Sequence, residues 1–316
     1  MKFSVIIPLY NKAPYAAKAI QSVLTQTFSD YELVIVDDGS KDDSAEIAAR
    51  AIKGHANCRI LKQENTGVSM ARNNGVTVSQ GENLCFLDAD DWWEPTFLEE
   101  MNQLVEVFPD AGVYGTSYTI VNENKRKTRV ANIGVDEGFE SGYINYCQVY
   151  AKTMCMPLWT GAVCIPRSVF EEMEGFNPRL KMGEDFDLWI RIVVKYKVAF
   201  LNRTLSYYNQ DVESRPRAIG SMPAPRYQFA FCADYLKQDM ERNDELKYLV
   251  ECIQIICLRN YYLSKTYHDE AVKVLNKISL TSHISHSYAD YLKRPLWQTR
   301  LLDKVIQLKN SLRYGQ

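Results

Sequence analysis

The first ninety positions alternate between two hydrophobic patterns. Residues 3–9, FSVIIPL, form a continuous apolar run of strand length, rich in β-branched side chains. Residues 14–26 then place Ala17, Ile20, Val23 and Leu24 at helical spacing, with Pro14 suited to a first turn. The alternation repeats. ELVIVDD predicts a second strand, DDSAEIAARAI a helix capped by Asp42 or Asp43, and CRILKQ a third strand. GVSMARNNGVTVS predicts a helix, ENLCFLD a fourth strand, and residues 94–108 another helix with Pro95 near its start. Non-alternating strands, each followed by a helix, indicate a parallel sheet covered on both faces. In such sheets ligands gather at the carboxyl ends of the strands. Three of those ends read PLYN, DDGS and DADD.

Beyond residue 112 the rhythm changes. AGVYGTSYTIV and LWTGAVCIP read as strands, with NENKRKTR as a charged, solvated turn between them. RSVFEEMEGF predicts a short helix ending at Gly175. Residues 183–196 predict a longer one, with Phe186, Ile190, Val193 and Val194 on one face. KVAFLN and LSYYNQ follow as short strands. A boundary falls in residues 214–226, which hold Pro216, Pro223 and Pro225. The remainder reads as helical, over roughly 226–242, 244–264, 268–278 and 296–312.

Composition narrows the function. The 316 residues suffice for a large domain plus an appendage, and a hydrophobic content of 46% supports a real core. A formal net charge of -2 lacks the basic excess of a general nucleic-acid binder. No stretch approaches the ~20 apolar residues of a membrane span. The start, MKFSVIIPLYN, reads as a first strand and not as a signal peptide. The eight cysteines include no C-x-x-C pair and read as free thiols of a reducing compartment. His283 and His286 have no acid or cysteine close by in the chain, so no metal site is assigned there.

The acidic strand ends carry the candidate chemistry, each with a plainer alternative. In LDADD, Asp88 and Asp90 can converge on one hard cation, which would offset their mutual repulsion. The plainer reading is a solvated acidic loop with Asp91 capping the next helix. In VDDGS, Asp38 can accept hydrogen bonds from a base or a ribose, or close an Asx-turn. In GEDFD, Asp185 sits at a helix start, flanked by Glu184 and Asp187. There it is either a cap stabilised by the macrodipole or a general base facing a pocket. Trp93 and Trp159 are core residues or platforms for a sugar ring.

SVIIPLYN, VDDGSKDDS, ENTGVSMARNNG, FLDADDWWEP and GEDFDLWIR occur in that order over about 190 residues. The series resembles the inverting, nucleotide-sugar-dependent glycosyltransferases of family 2. The resemblance implies an α/β fold of GT-A type, Rossmann-like and doubly wound with a mostly parallel sheet. On this reading residues 1–215 form the catalytic domain and 216–316 a helical C-terminal extension. It implies that Pro8, Tyr10 and Asn11 line the nucleotide pocket, that Asp38 bonds the base, and that Arg72 and Asn73 lie along the nucleotide's edge. Asp88 and Ala89 would border the ribose and the metal shell. Asp90, with Asp88, would bind Mn2+ or Mg2+, and Asp185 would be the base, with Glu184 beside the substrate. The partners implied are a nucleotide-sugar donor, a UDP-sugar by family habit, and a saccharide or lipid-linked saccharide acceptor of cell-surface polysaccharide synthesis.

The sequence departs from the family where a histidine often follows the sheet. Here YYNQDVESRPR puts Asp211 in that place, with Arg215 and Arg217 as alternative phosphate contacts. Two rivals follow from the same acids. A sugar-1-phosphate nucleotidyltransferase should carry a glycine-rich basic loop after the first strand, and PLYNKAP has one lysine and no glycine. A non-catalytic nucleotide-sugar scaffold should have lost Asp185 or Asp90, and both are present. Residues 291–316 carry six bases against Asp303 alone, with an apolar stripe through Leu301, Val305, Leu308 and Leu312. They form either a membrane-surface helix or a helix packed on its own domain. The expected location is cytoplasmic, or peripheral at the inner face of the membrane.

Overall fold

The computed structural model describes residues 1–122, 127–210, 222–278 and 297–299. The chain divides into two compact units, Met1–Ser214 and Arg215–Gln316.

The first unit is built on one mixed sheet. β1 (Phe3–Leu9) lies at its heart, parallel to β2 (Tyr31–Asp37) on one side and to β4 (Asn83–Phe86) on the other. β3 (Cys58–Lys62) extends the sheet beyond β2, again in parallel. β1 and β2 are almost wholly buried, as their continuous apolar runs demand. The chain thus winds outward from β1 to β3 and returns to the opposite side of β1. That reversal makes the gap between the carboxyl ends of β1 and β4 the switch point, where open α/β sheets leave a crevice.

Three helices fix the loops at that crevice. α1 (Ala13–Leu24) buries Ala16, Ala19, Ile20 and Val23, the spacing of one helical face. α2 (Ser44–Ala51) follows the DDGS turn; the Asp42 carboxylate, rather than Asp43, accepts the Ser44 N–H at 3.1 Å. α3 (Val68–Val78) packs on β1 at Gly75, where an added Cβ would stand 2.6 Å from Ile6. Only glycine permits that approach, and it carries Arg72, one turn earlier, down to the level of the strand ends.

The other half of the sheet departs from the parallel pattern. β9 (Val163–Pro166) runs antiparallel between β4 and the long β6 (Ala111–Asn122). β10 (Lys197–Asn209) pairs in parallel with β6. The two short strands expected at 197–210 are this single strand, with register shifts between Leu201 and Ser206 around the polar Asn202 and Arg203. Three small antiparallel strands complete the sheet: β5 (Trp92–Trp93) and β8 (Ser141–Ile144) on β10, and β7 (Lys127–Val130) on β6. β7 replaces part of the expected charged turn. α4 (Phe97–Val107), α5 (Tyr146–Thr153), α6 (Arg167–Glu172) and α7 (Glu184–Lys195) lie between the strands. The main core runs from Phe3 and Ile7 through Leu87, Ala89 and Phe97 to Tyr114.

The second unit is helical over its described residues, with α8 (Phe229–Cys232), α9 (Lys237–Arg242), α10 (Asp244–Leu263) and α11 (His268–Leu275). Asn243 caps α10, its side chain accepting the Glu245 and Leu246 N–H groups. A core of Ile255, Leu258, Tyr261 and Ala271 holds these helices together. Most of the helix expected over 296–312 lies outside the described residues, as do Asp211, Arg215, Arg217, His283 and His286.

Candidate active site

The acids of DADD follow β4 directly, and the structure gives each a different partner. Asp88 accepts a hydrogen bond from Arg72 Nη2 at 2.7 Å. Asp90 accepts one from Lys12 Nζ at 2.8 Å. Asp91 is 2% exposed and accepts from the Asn209 backbone N–H and from the Trp159 indole. Asp91 therefore ties β10 and the Trp159 loop to the β4 end; it does not cap α4. Burial, followed by the charges of Asp90 and Asp88, pushes its carboxyl well above the ordinary carboxylate range. Asp88 and Asp90 keep 28% and 11% of their side chains exposed. Ala89 between them turns into the main core, so its side chain leaves the ligand-facing set.

Arg72 joins this loop to the start of α7. Its guanidinium is almost fully buried, lies over the Phe176 ring, and reaches Glu184 with Nη1 at 3.3 Å. One cation thus grips acids 96 positions apart and brings the β4 end and the α7 start together. Gly183, with φ +80°, makes the left-handed turn that presents Glu184 and Asp185 at the first turn of α7.

Asp185 Oδ1 accepts the Phe186 N–H at 2.8 Å, and the residue is half-buried. Burial, then the charge of Glu184, raises it to about 7, against the pull of the Phe186 N–H and Arg72. Tyr118 and Tyr146 lie within electrostatic reach of Asp185, and burial first holds both hydroxyls protonated. The Tyr146 hydroxyl is buried with no hydrogen-bond partner.

The nucleotide-side residues separate into two groups. Tyr10 is 40% exposed beyond β1, and Pro8 is half-buried. Asn11, at φ 50°, accepts the Lys41 N–H and donates its own N–H to Ser40 Oγ, locking the two loops together. Asp38 is 3% exposed and receives Thr66 N–H and Gln63 on one oxygen and Gly67 N–H on the other. It fastens the 63–67 loop to the β2 end.

Like Ala89, two further residues of the expected set are engaged within the protein. Asn73 donates to the Phe176 carbonyl and accepts the Phe176 N–H, so both ends of its amide serve as a clamp and neither faces a nucleotide. Trp93 is 3% exposed, stacks on Phe97 and donates to the Gly161 carbonyl at 2.6 Å. It is a core residue with no free face for a sugar. Trp159 remains half-buried between Tyr118 and Tyr208, with its indole N–H on Asp91. Lys12 belongs to no sequence motif, since PLYNKAP has one lysine and no glycine-rich loop. Its signal was its place, three residues past a buried strand.

No group of three or more histidine, cysteine, aspartate or glutamate side chains gathers around a metal position among the described residues. The donor chemistry at Asp88 and Asp90 nevertheless suits a hard cation. Magnesium and manganese are commonly held by one or two carboxylates, with phosphate oxygens completing the shell. The Lys12 ammonium beside Asp90 shows that a cation is accommodated at that oxygen. All eight cysteines are free thiols, and none belongs to the cleft's acid cluster.

An open sheet wound both ways from β1, with acids from β4 and α7 drawn together by one arginine, defines a protein of the GT-A class. The profile described as "Glycosyl transferase family 2" matches residues 4–172, just over half the chain, and the chain belongs to that family. An uncharacterised glycosyltransferase of Nostoc sp. is 44% identical over 218 residues, covering 66% of this chain and 64% of the relative. Glycosyltransferase GlyA of Streptococcus pneumoniae is 32% identical over 216 residues, 66% of this chain and 30% of that protein. The chain spans about a third of the length of several such relatives. Two solved structures share the fold. S. aureus TarS 1–349 in complex with UDP-GlcNAc matches with TM-score 0.61 and 18% identity, over 88% of this chain and 71% of that one. The mannosyltransferase PcManGT of Pyrobaculum calidifontis, in complex with GDP-Man and Mn2+, matches with TM-score 0.56 and 16% identity, over 100% and 88%.

Proposed function

We propose that this chain is an inverting glycosyltransferase that moves a sugar from a nucleotide-sugar, a UDP-sugar by preference, to an acceptor hydroxyl. The observation that carries the reading is the double grip of Arg72 on Asp88 and Glu184. Displacement at an anomeric carbon needs a base for the incoming hydroxyl and a stabiliser for the departing diphosphate in one cleft. Asp185 takes the acceptor proton; a carboxyl raised to about 7 is poised between holding and releasing it at neutral pH. Asp90, with Asp88, would hold Mn2+ or Mg2+, which would supply charge stabilisation to the leaving diphosphate. One base and one displacement give inversion without a protein nucleophile. Asp38 and the loop it fastens, with Tyr10, frame the base and ribose.

This chemistry is assigned to residues 1–215, with 216–316 as a helical extension. The acceptor is a saccharide or lipid-linked saccharide destined for a cell-surface polysaccharide, with the enzyme in the cytoplasm or against the inner membrane face through 291–316. No described helix is long and apolar enough to cross a membrane. Nucleoside diphosphate release from a panel of UDP-sugars and GDP-mannose, with and without Mn2+, tests the reading. Metal-stimulated UDP release from one donor is expected, and Asp185→Asn should bind UDP yet release none. Pyrophosphate in place of UDP would indicate a nucleotidyltransferase, and absence of turnover with every donor a binding scaffold.

A further inference from the structure

The three acids of the β4 loop differ in how firmly their partners are held. Asp88 is paired with a guanidinium whose side chain is 4% exposed and which a second acid and an aromatic ring also fix. Asp91 is held by a backbone N–H and an indole. Asp90 is paired instead with an ammonium on a flexible four-carbon stem, its side chain 20% exposed. Among the described residues this ammonium hydrogen-bonds no side chain but Asp90, although it has three N–H donors.

The base of that stem is fixed. The Lys12 backbone N–H donates to Ser44 Oγ at 2.7 Å, and its neighbours Asn11 and Ala13 are bonded to Ser40 and Asp42. Lys12 leaves β1 while Asp90 follows β4, so their 2.8 Å ion pair spans the switch-point crevice. A fixed anchor, an intrinsically flexible stem and a partner that suits a divalent cation occur together here. We propose that Lys12 is a resident counterion of Asp90: a divalent cation displaces its ammonium, which then pairs with the donor's diphosphate.

The inference rests on the metal reading given above and adds a competition to it. The metal and the Lys12 ammonium are like charges competing for the same Asp90 carboxylate, so the lysine weakens metal binding in the empty enzyme. Once displaced, it adds a charge-assisted bond to the diphosphate. Removing the charge therefore has opposite effects on the two ligands. A purely structural staple would predict loss of both affinities.

Titrating Mn2+ into the full chain, with free metal followed by electron paramagnetic resonance, tests the first half. Lys12→Gln should tighten Mn2+ binding by about fivefold, a typical coupling between linked sites. Calorimetric titration of UDP in saturating Mn2+ tests the second half, and the same variant should bind UDP about tenfold more weakly. Lys12→Arg, which keeps the charge, should return both affinities toward the wild type and guards against a folding defect in the first variant. Unchanged or weaker Mn2+ binding by Lys12→Gln overturns the proposal. Asp90→Asn separates the two layers. If it binds Mn2+ as the wild type does, the metal reading itself falls. If it loses Mn2+ while Lys12→Gln gains nothing, only the counterion role falls.

Discussion

Asp185→Asn offers a test in which stability and activity should move in opposite directions. The carboxyl has an ordinary value of 3.8 and is raised to about 7 in the folded chain. Between those values the folded state binds a proton that the unfolded state has released, so stability declines as pH rises through the window. Taken whole, a shift of that size is about 4 kcal/mol; screening by water at the open side of the cleft leaves about 2 kcal/mol. The amide has the shape of the neutral acid and can still accept the Phe186 N–H. Urea unfolding followed by tryptophan fluorescence reads chiefly the sheet unit, because four of the five tryptophans, Trp92, Trp93, Trp159 and Trp189, lie in Met1–Ser214. At about pH 3.5, below the ordinary value, the variant and wild type should have nearly equal stability, and the difference should open as pH rises from there. At pH 8 the variant should be more stable by about 2 kcal/mol, while sugar transfer is lost. The wild-type kcat/KM should rise with pH through about 7, the range in which the base becomes ionised. A variant that is less stable than wild type at pH 8, or one whose difference ignores pH, would refute the account of a carboxyl kept costly for use.

Arg72→Met removes the cation that joins Asp88 and Glu184, and breaking a buried pair on one side costs about 3–5 kcal/mol. Because Arg72 pulls the Asp185 carboxyl downward, the rising limb of the pH–rate profile should also move to higher pH, which a packing defect alone would not cause. Trp93→Phe should lower stability by about 1–3 kcal/mol in a urea titration, because the buried Gly161 carbonyl loses its donor. Its KM for the nucleotide-sugar should stay at the wild-type value, since this tryptophan has no free face.

The parallel half of the sheet was legible because burial on both faces leaves a simple trace. β1 and β2 are mostly apolar and almost wholly buried, and their helices announce themselves by spacing. The antiparallel additions leave no such trace. β5 is two residues long, and β7 presents four exposed side chains, so backbone pairing alone makes them strands. For β9, the apolar run records burial but says nothing of direction. The break expected near 203 marks polar residues within a continuing strand, since β6 supplies backbone partners on both sides of the irregularity. Candidate acids could be found because charge at the end of a buried strand is costly and therefore conspicuous. Their partners could not. Lys12 is 78 positions from Asp90, and the amide of Asn73 closes on Phe176, 103 positions away. Such pairings arise when the sheet closes and have no local pattern.

The crowding of acids in DADD is tolerable because the fold deals with each one separately. Asp91 is buried and pushed toward its neutral form, so the repulsion at neutral pH is chiefly between Asp88 and Asp90. Each of those two has its own cation, and the cations come from opposite directions: α3 supplies Arg72, and the end of β1 supplies Lys12. Spacing along the chain cannot distinguish the roles of two aspartates separated by a single alanine. The mobility of their counterions can. A guanidinium pinned by two acids and a ring can only hold Asp88 in place and transmit its position to the α7 acids. An ammonium on a free stem can leave, and Asp90 is thereby the carboxylate of the pair that can exchange its cation without disturbing the frame.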